Sequence, residues 1–279
     1  MQRTGRFVDN RGGVLYIDPV SRMLPPKKSL GQHFLRDENI ARNIVDSLEL
    51  RPDDHLLEIG PGQGALTKHL VGRTAGLTVI EVDERAIHLL RDSFGDAITI
   101  VHADVRNVSL ADIAREGRLR VAGNIPYNIT SEILFWLFDA RGHVEDATLM
   151  VQLEVAQRFV ARKETKAYGI LSIYLQLYAR TEMLFKVSRN SFFPRPDVDS
   201  AVVRLRFNHD LPPFDETLFR AIVRGTFGKR RKTLRNSLRF MGFTDNQLDG
   251  CSLDLSRRPE NLEVEDFLEL TRQLKKLPE

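Results

Sequence analysis

From about residue 37 to residue 207 the chain alternates two apolar rhythms. Nearly unbroken apolar runs at 56–59, 77–83, 98–101, 119–123 and 148–151 predict buried strands, and segments with apolar positions three and four apart predict helices. Ile40, Ile44, Val45 and Leu48 recur at helical spacing behind Asp37, a good N-cap. Further helices are predicted at 65–71, after Asp83, from Thr130-Ser131-Glu132 into Ile133, Leu134 and Trp136, at 154–161, and at 168–178, whose aromatics are core. Two more strands, 182–187 and 201–207, end the series. Alternation of this kind predicts an α/β fold on a mostly parallel, Rossmann-like sheet.

Residues 208–214 interrupt the pattern with Asp210 and Pro212-Pro213, the signature of a domain boundary. Beyond them the spacing is helical. The expected organisation is a flexible extension at 1–26, a main domain at 27–208 and a small all-α domain at 209–279.

Polar residues gather where the predicted strands end, at the carboxyl edge where open α/β sheets bind ligands. The first strand carries Glu58 and runs into Gly60-Pro61-Gly62-Gln63-Gly64, a loop expected to aim backbone N–H groups at an anionic group. Its spacing is one residue tighter than the G-x-G-x-x-G of dinucleotide sites, which argues against NAD or FAD. Glu58 argues the same way: it would repel a pyrophosphate but could hold the amino group of an amino-acid-like ligand. Glu81 lies about 20 residues beyond the loop, where such folds place a carboxylate for ribose hydroxyls. Asp83 reads as a helix cap, and Asp104 is placed to accept from an adenine amine. The fourth strand delivers Asn124-Ile125-Pro126-Tyr127. An Asn amide oxygen and a backbone carbonyl can both accept from an exocyclic amine, and a tyrosine ring can stack on a base, so the stretch suits a clamp for adenine N6. Asn and Pro are also common turn residues, so the stretch taken alone also reads as a plain turn. The prolines of Phe192-Phe193-Pro194-Arg195-Pro196 hold that loop extended, with Phe192 expected as the opposite wall of the base pocket.

Composition adds a surface. The chain has 279 residues and a net charge of only +3, with a pI of about 9.0, so any nucleic-acid face must come from local clustering. Arg224, Lys229, Arg230, Arg231, Lys232, Arg235 and Arg239 form such a cluster without an intervening acid, interleaved with Phe227, Leu234, Leu238 and Phe240. One helix through them would turn an apolar stripe inward and a basic, phosphate-binding face outward. The single cysteine, Cys251, excludes an intramolecular disulfide and a multi-cysteine metal site, and suits a reducing cytosol. No apolar run approaches the roughly 18 residues of a bilayer span, and the N-terminus lacks the apolar core of a secretory signal.

Gly31-Gln32-His33-Phe34-Leu35, Glu58-Ile59-Gly60-Pro61-Gly62, Asn124-Ile125-Pro126-Tyr127-Asn128 and Phe192-x-Pro194-x-Pro196-x-Val198-x-Ser200 occur in the order found in the rRNA adenine dimethyltransferase family, which the chain resembles from about residue 27 onward. Arg258-Pro259-Glu260-Asn261-Leu262 and the acidic helix after it resemble the bacterial small-subunit branch. The resemblance implies S-adenosylmethionine as methyl donor, no metal, and a seven-stranded sheet with a reversed last hairpin. It implies donor-binding roles for His33, Leu35, Gly60, Glu81, Asp104 and Asn124. The implied substrate is a pair of adjacent adenosines near the 3′ end of small-subunit rRNA, within a pre-30S particle, met by a cytoplasmic monomer with no membrane partner. His33 stands where some members have Asn, and Ile125 replaces the commoner Leu. The rival readings are a large-subunit methylase of the erythromycin-resistance type and a non-catalytic RNA-binding or transcription factor on the same fold.

Overall fold

The structure, a computed structural model, describes residues 6–8, 14–16, 24–114 and 117–274. The extension expected at 1–26 therefore lies mostly outside the described residues; within it, Arg6–Val8 and Val14–Tyr16 pair as an antiparallel ribbon. Among the described residues no helix is long and apolar enough to cross a membrane.

The chain forms two compact units, one reaching Ala156 and resuming over Glu182–Phe207, the other made of Gln157–Thr181 and the residues from Asn208 onward. In the first, seven strands form one sheet: β1 (His55–Ile59), β2 (Gly76–Glu81), β3 (Thr99–His102), β4 (Leu119–Asn124), β5 (Val144–Gln152), β6 (Ala179–Val187) and β7 (Ser200–Phe207). Their order across the sheet is β3-β2-β1-β4-β5-β7-β6. The strands from β3 to β5 are parallel, and β7 runs antiparallel to β5. Strand order reverses between β1 and β4, so their carboxyl ends open a crevice at the switch point. Ile59 lies opposite Gly123 there, and a Cβ on Gly123 would sit 2.7 Å from the Ile59 carbonyl oxygen. Only glycine lets the two strands meet so closely.

Helices α1 (Glu38–Ser47), α2 (Thr67–Leu70), α3 (Glu84–Phe94), α4 (Leu110–Ile113) and α5 (Thr130–Asp139) follow in turn. Asp37 caps α1, accepting from the amides of Asn39 and Ile40, and α1 packs Ile44, Val45 and Leu48 into one core with Leu56, Val79, Ala122 and Met150. Two elements differ in length from the sequence pattern. The helix expected at 65–71 keeps only four residues, because the backbone takes left-handed turns at Gly60, Gly62 and Gly64 before it can start. Strand β5 runs nine residues rather than four, because its buried Asp146 is neutralised by Arg120 at 2.6 Å and so breaks the apolar run without breaking the strand.

The second unit holds α7 (Ile170–Tyr178), α8 (Glu216–Phe227), α9 (Leu234–Phe240), α10 (Asp245–Asp249) and α11 (Val264–Leu274), with α6 (Leu153–Phe159) at its border. Sequence alone put everything up to 208 in the first domain. Instead α7 joins the helical unit, where Tyr174 packs on Phe219, Tyr178 Oη donates to Glu216 and Tyr168 Oη donates to the Leu262 carbonyl. The basic stretch is also not one helix: α8 stops at Phe227, a turn spans 228–233, and Thr233 caps α9 by accepting from the Asn236 amide. Phe240, expected on the inward stripe, is 67% exposed.

Candidate active site

One cavity at the carboxyl edge of the sheet is lined by His33, Leu35, Glu58, Gly60, Gly62, Glu81, Asp104 and the Asn124-Ile125-Pro126-Tyr127 stretch. Three successive strand ends supply its carboxyls, and a segment ahead of α1, residues 29–35, contributes to its wall.

The glycine loop does not present an anion cradle. Its amides are already bonded: Gly60 N–H donates to the Ile80 carbonyl, Gly62 N–H to Glu81 Oε2 at 3.0 Å, and Gly64 N–H to the Pro61 carbonyl. Glu81 thus fixes the loop's shape, and its other oxygen accepts from the amides of Val82 and Asp83, both at 2.9 Å. Burial pushes its carboxyl pKa up against the pull of those amides. Glu58 is almost wholly buried and accepts from Thr67 Oγ1 at 2.7 Å. Desolvation, reinforced by the neighbouring Glu81, pushes its carboxyl to about 8, so at neutral pH it carries a proton. A cation placed against these two acids would draw both toward the ionised form.

Asp104 follows β3 and lines the cavity; Arg106 bonds both of its carboxyl oxygens, at 2.9 and 2.5 Å, which keeps the carboxyl below the usual range. Asp83 is the expected helix cap, accepting from the Arg85 amide, but it does more. Arg85, Gln32 and Lys27 all bond its buried carboxyl, tying the segment ahead of α1 to the end of β2. Sequence reasoning missed that tie and missed Thr67, the support of Glu58.

Asn124 ends β4, and its Nδ2 donates to the His33 carbonyl at 2.9 Å. That bond orients the amide and leaves Oδ1 as the acceptor turned from His33. Tyr127 is fixed at both ends, by a hydrogen bond with Ser200 Oγ at 2.6 Å and by the His33 ring stacked at 5.3 Å. His33 is itself held, Nδ1 donating to the Pro194 carbonyl at 2.8 Å. Thr130 does not cap α5 with its side chain; its hydroxyl donates back to the Pro126 carbonyl, which also accepts from the Ile129 amide.

Phe192 is not a wall of the cavity. It pairs with Leu35 in a two-residue antiparallel ribbon, is 4% exposed and belongs to the core with Val187 and Val202. Strand alternation turns Phe193, not Phe192, outward.

The basic residues of the second unit divide by partner. Arg230 pairs with Glu260 at 2.5 Å and donates to the carbonyls of Thr165 and Lys166, and Arg235 pairs with Asp249 at 2.7 Å. Arg224, exposed on α8, bonds to Tyr174, and exposed Lys229 sets Nζ 4.0 Å over the Phe240 ring. Arg231 and Lys232 are exposed in the turn.

The sheet order, the switch-point cavity and the acids at successive strand ends define the Rossmann-like methyltransferase class. The model of the family described as ribosomal RNA adenine dimethylase matches residues 23–276, and the chain belongs to that family. The ribosomal RNA small subunit methyltransferase A of Chlorobium phaeobacteroides (strain BS1) is 46% identical over 253 residues, covering 91% of this chain and 95% of that relative. The protein of the same name from Salinibacter ruber is 45% identical, covering 92% and 88%. Among solved structures, a dimethyladenosine transferase from Plasmodium falciparum superposes with a TM-score of 0.74 at 25% identity, covering 87% of this chain and 98% of that one. The 23S rRNA methyltransferase ErmE superposes with a TM-score of 0.63 at 30% identity, covering 87% and 100%.

Proposed function

We propose that this chain transfers methyl groups from S-adenosylmethionine to N6 of two adjacent adenosines in a hairpin loop near the 3′ end of small-subunit rRNA, dimethylating each, as a cytoplasmic monomer on a pre-30S particle. The observation that carries the proposal is the Asn124 amide, oriented by the His33 carbonyl at the mouth of a cavity lined by three carboxyls. Likeness to the small-subunit relatives favours that rRNA over the large-subunit one.

The donor set fits S-adenosylmethionine. Glu58 would take the ammonium group, Glu81 the ribose hydroxyls through acceptor capacity its three amide bonds leave over, and Asp104 the adenine amine. Gly60 and Gly62 line the cavity with positive φ, and a side chain on Gly62 would meet the Phe34 ring at 3.1 Å. His33 and Leu35 complete the wall. When bound, the donor supplies a methyl group activated on a sulfonium.

The target N6 is a weak nucleophile because its lone pair is delocalised into the purine. Two acceptors, placed to take both of its hydrogens, draw the nitrogen toward a tetrahedral shape and aim the lone pair. Asn124 Oδ1 is one. The Pro126 carbonyl already accepts from Ile129 and Thr130, so the Ile125 carbonyl takes the second place. The base, extruded from its stack, lies on the Tyr127 face away from His33. No strong base is needed; orientation supplies much of the rate. The test is methyl transfer from labelled donor to unmethylated small subunits and, in parallel, to large subunits. Label confined to the small-subunit RNA is expected; label confined to the large-subunit RNA would select the rival enzyme, and none in either would favour the non-catalytic reading.

A further inference from the structure

The ribbon between Phe34–Leu35 and Phe192–Phe193 sorts its four side chains by parity. Partners across an antiparallel pair share a face, and successive residues alternate. Leu35 and Phe192 are opposite each other and buried in the core, at 7% and 4% exposure. Phe34 and Phe193 are therefore on the other face. Phe34 is one of the residues that line the cavity, and Phe193, its cross-strand partner, is 43% exposed. Arg36, two residues beyond Phe34 on the same face, lays its guanidinium 3.9 Å over the Phe193 ring. The next residue, Pro194, holds His33, which in turn backs Tyr127. The position of Phe193 is thus tied to the base clamp by two short links.

We propose that Phe193, with Arg36 against it, is the stacking contact for the nucleotide adjacent to the target adenosine. The proposal rests on the function given above. Extruding one base leaves its neighbour unstacked on one side, and an aromatic ring paired with a guanidinium offers that neighbour a surface that also carries positive charge toward the backbone. Core packing does not account for the residue: Phe193 is 43% exposed, whereas its neighbour Phe192 is 4% exposed.

The test compares wild type with Phe193→Ala, Phe193→Trp and Arg36→Ala on unmethylated small subunits, recording KM for subunits, kcat, and donor affinity by calorimetry. Phe193→Ala is expected to raise KM roughly 5- to 150-fold, the range for loss of one base–aromatic stack, with donor affinity unchanged. Phe193→Trp is expected to restore KM, and Arg36→Ala to raise it by a smaller factor. A wild-type KM in Phe193→Ala overturns the proposal, as does a parallel loss of donor affinity, which would make Phe193 a packing residue. Should Phe193→Ala fail to fold, Arg36→Ala and Phe193→Trp decide: an unchanged KM in Arg36→Ala overturns the proposal, as does a raised one in Phe193→Trp. If wild type itself transfers no label to small subunits, the underlying function fails before any variant is compared.

Discussion

Glu58 sets the charge of the cavity. Its carboxyl sits near 8 in the folded chain against an ordinary value of 4.5, so between those pH values the fold keeps a proton that the unfolded chain releases. Its contribution to stability is complete below about pH 4.5 and is lost as pH rises toward 8. Glu58→Gln, which keeps the acceptor for Thr67, should therefore gain on wild type as pH rises. In the absence of donor, a Tm advantage of roughly 5 °C at pH 8 over that at pH 5 is expected, read by calorimetry; a difference that does not vary with pH would mean the carboxyl is ionised in the fold. The same variant should bind donor more weakly, having lost the anion for the ammonium group. Asn124→Ala acts on a different step. It should slow single-turnover methyl transfer on the order of 100-fold while leaving subunit affinity nearly intact, because misplacing one amine costs rate whereas phosphate contacts carry affinity. Near-normal turnover on saturating subunits would remove the clamp. Gly123→Ala drives a methyl group to 2.7 Å from a backbone oxygen that cannot move without its strand. A loss of about 1–3 kcal/mol in denaturant unfolding is expected, and wild-type stability would show that β1 and β4 can separate.

At the scale of elements, the sheet was legible because the parallel strands carry short apolar runs that end in polar residues with no place in a core. Asn124, Glu81 and Asp104 could be found by that rule alone. The glycine loop was misread because the partner of its Gly62 amide, the Glu81 carboxylate, arrives from another strand, and spacing within the loop carries no trace of it. The parity of Phe192 and Phe193 was hidden for a similar reason: it is set by pairing with Leu35 and Phe34, far upstream. The break in the basic helix did leave a local signal, Gly228 followed by Thr233 as a capping residue, but the unbroken run of cations masked it. That break changes which cations can serve RNA. Replacing Lys229, Arg231 and Lys232 together with Ala should flatten the log-affinity against log-salt slope for small subunits by roughly 2–3 units, with donor affinity unchanged since no residue of this turn lines the cavity. A wild-type slope would make the turn an ordinary solvated surface. Arg230→Ala should instead lower thermal stability, because it strips Glu260 and two carbonyls of their partner.

For the molecule as a whole, a net charge of +3 on 279 residues is too small to bind RNA by overall attraction. On the proposed reading, recognition is local, from the cations of one turn in the helical unit and from Phe193 with Arg36 in the sheet unit, and the chemistry belongs to the switch point. Family membership and the Asn124 geometry lead to one product, adenosine methylated twice on N6. The most direct test is to incubate the chain with S-adenosylmethionine and unmethylated small subunits, digest the RNA and identify the modified nucleosides by mass spectrometry, with their positions mapped by reverse transcription. The result expected is N6,N6-dimethyladenosine at two neighbouring positions near the 3′ end, absent with Asn124→Ala; modification at another base or another atom, or an Asn124→Ala product equal to wild type, would contradict it.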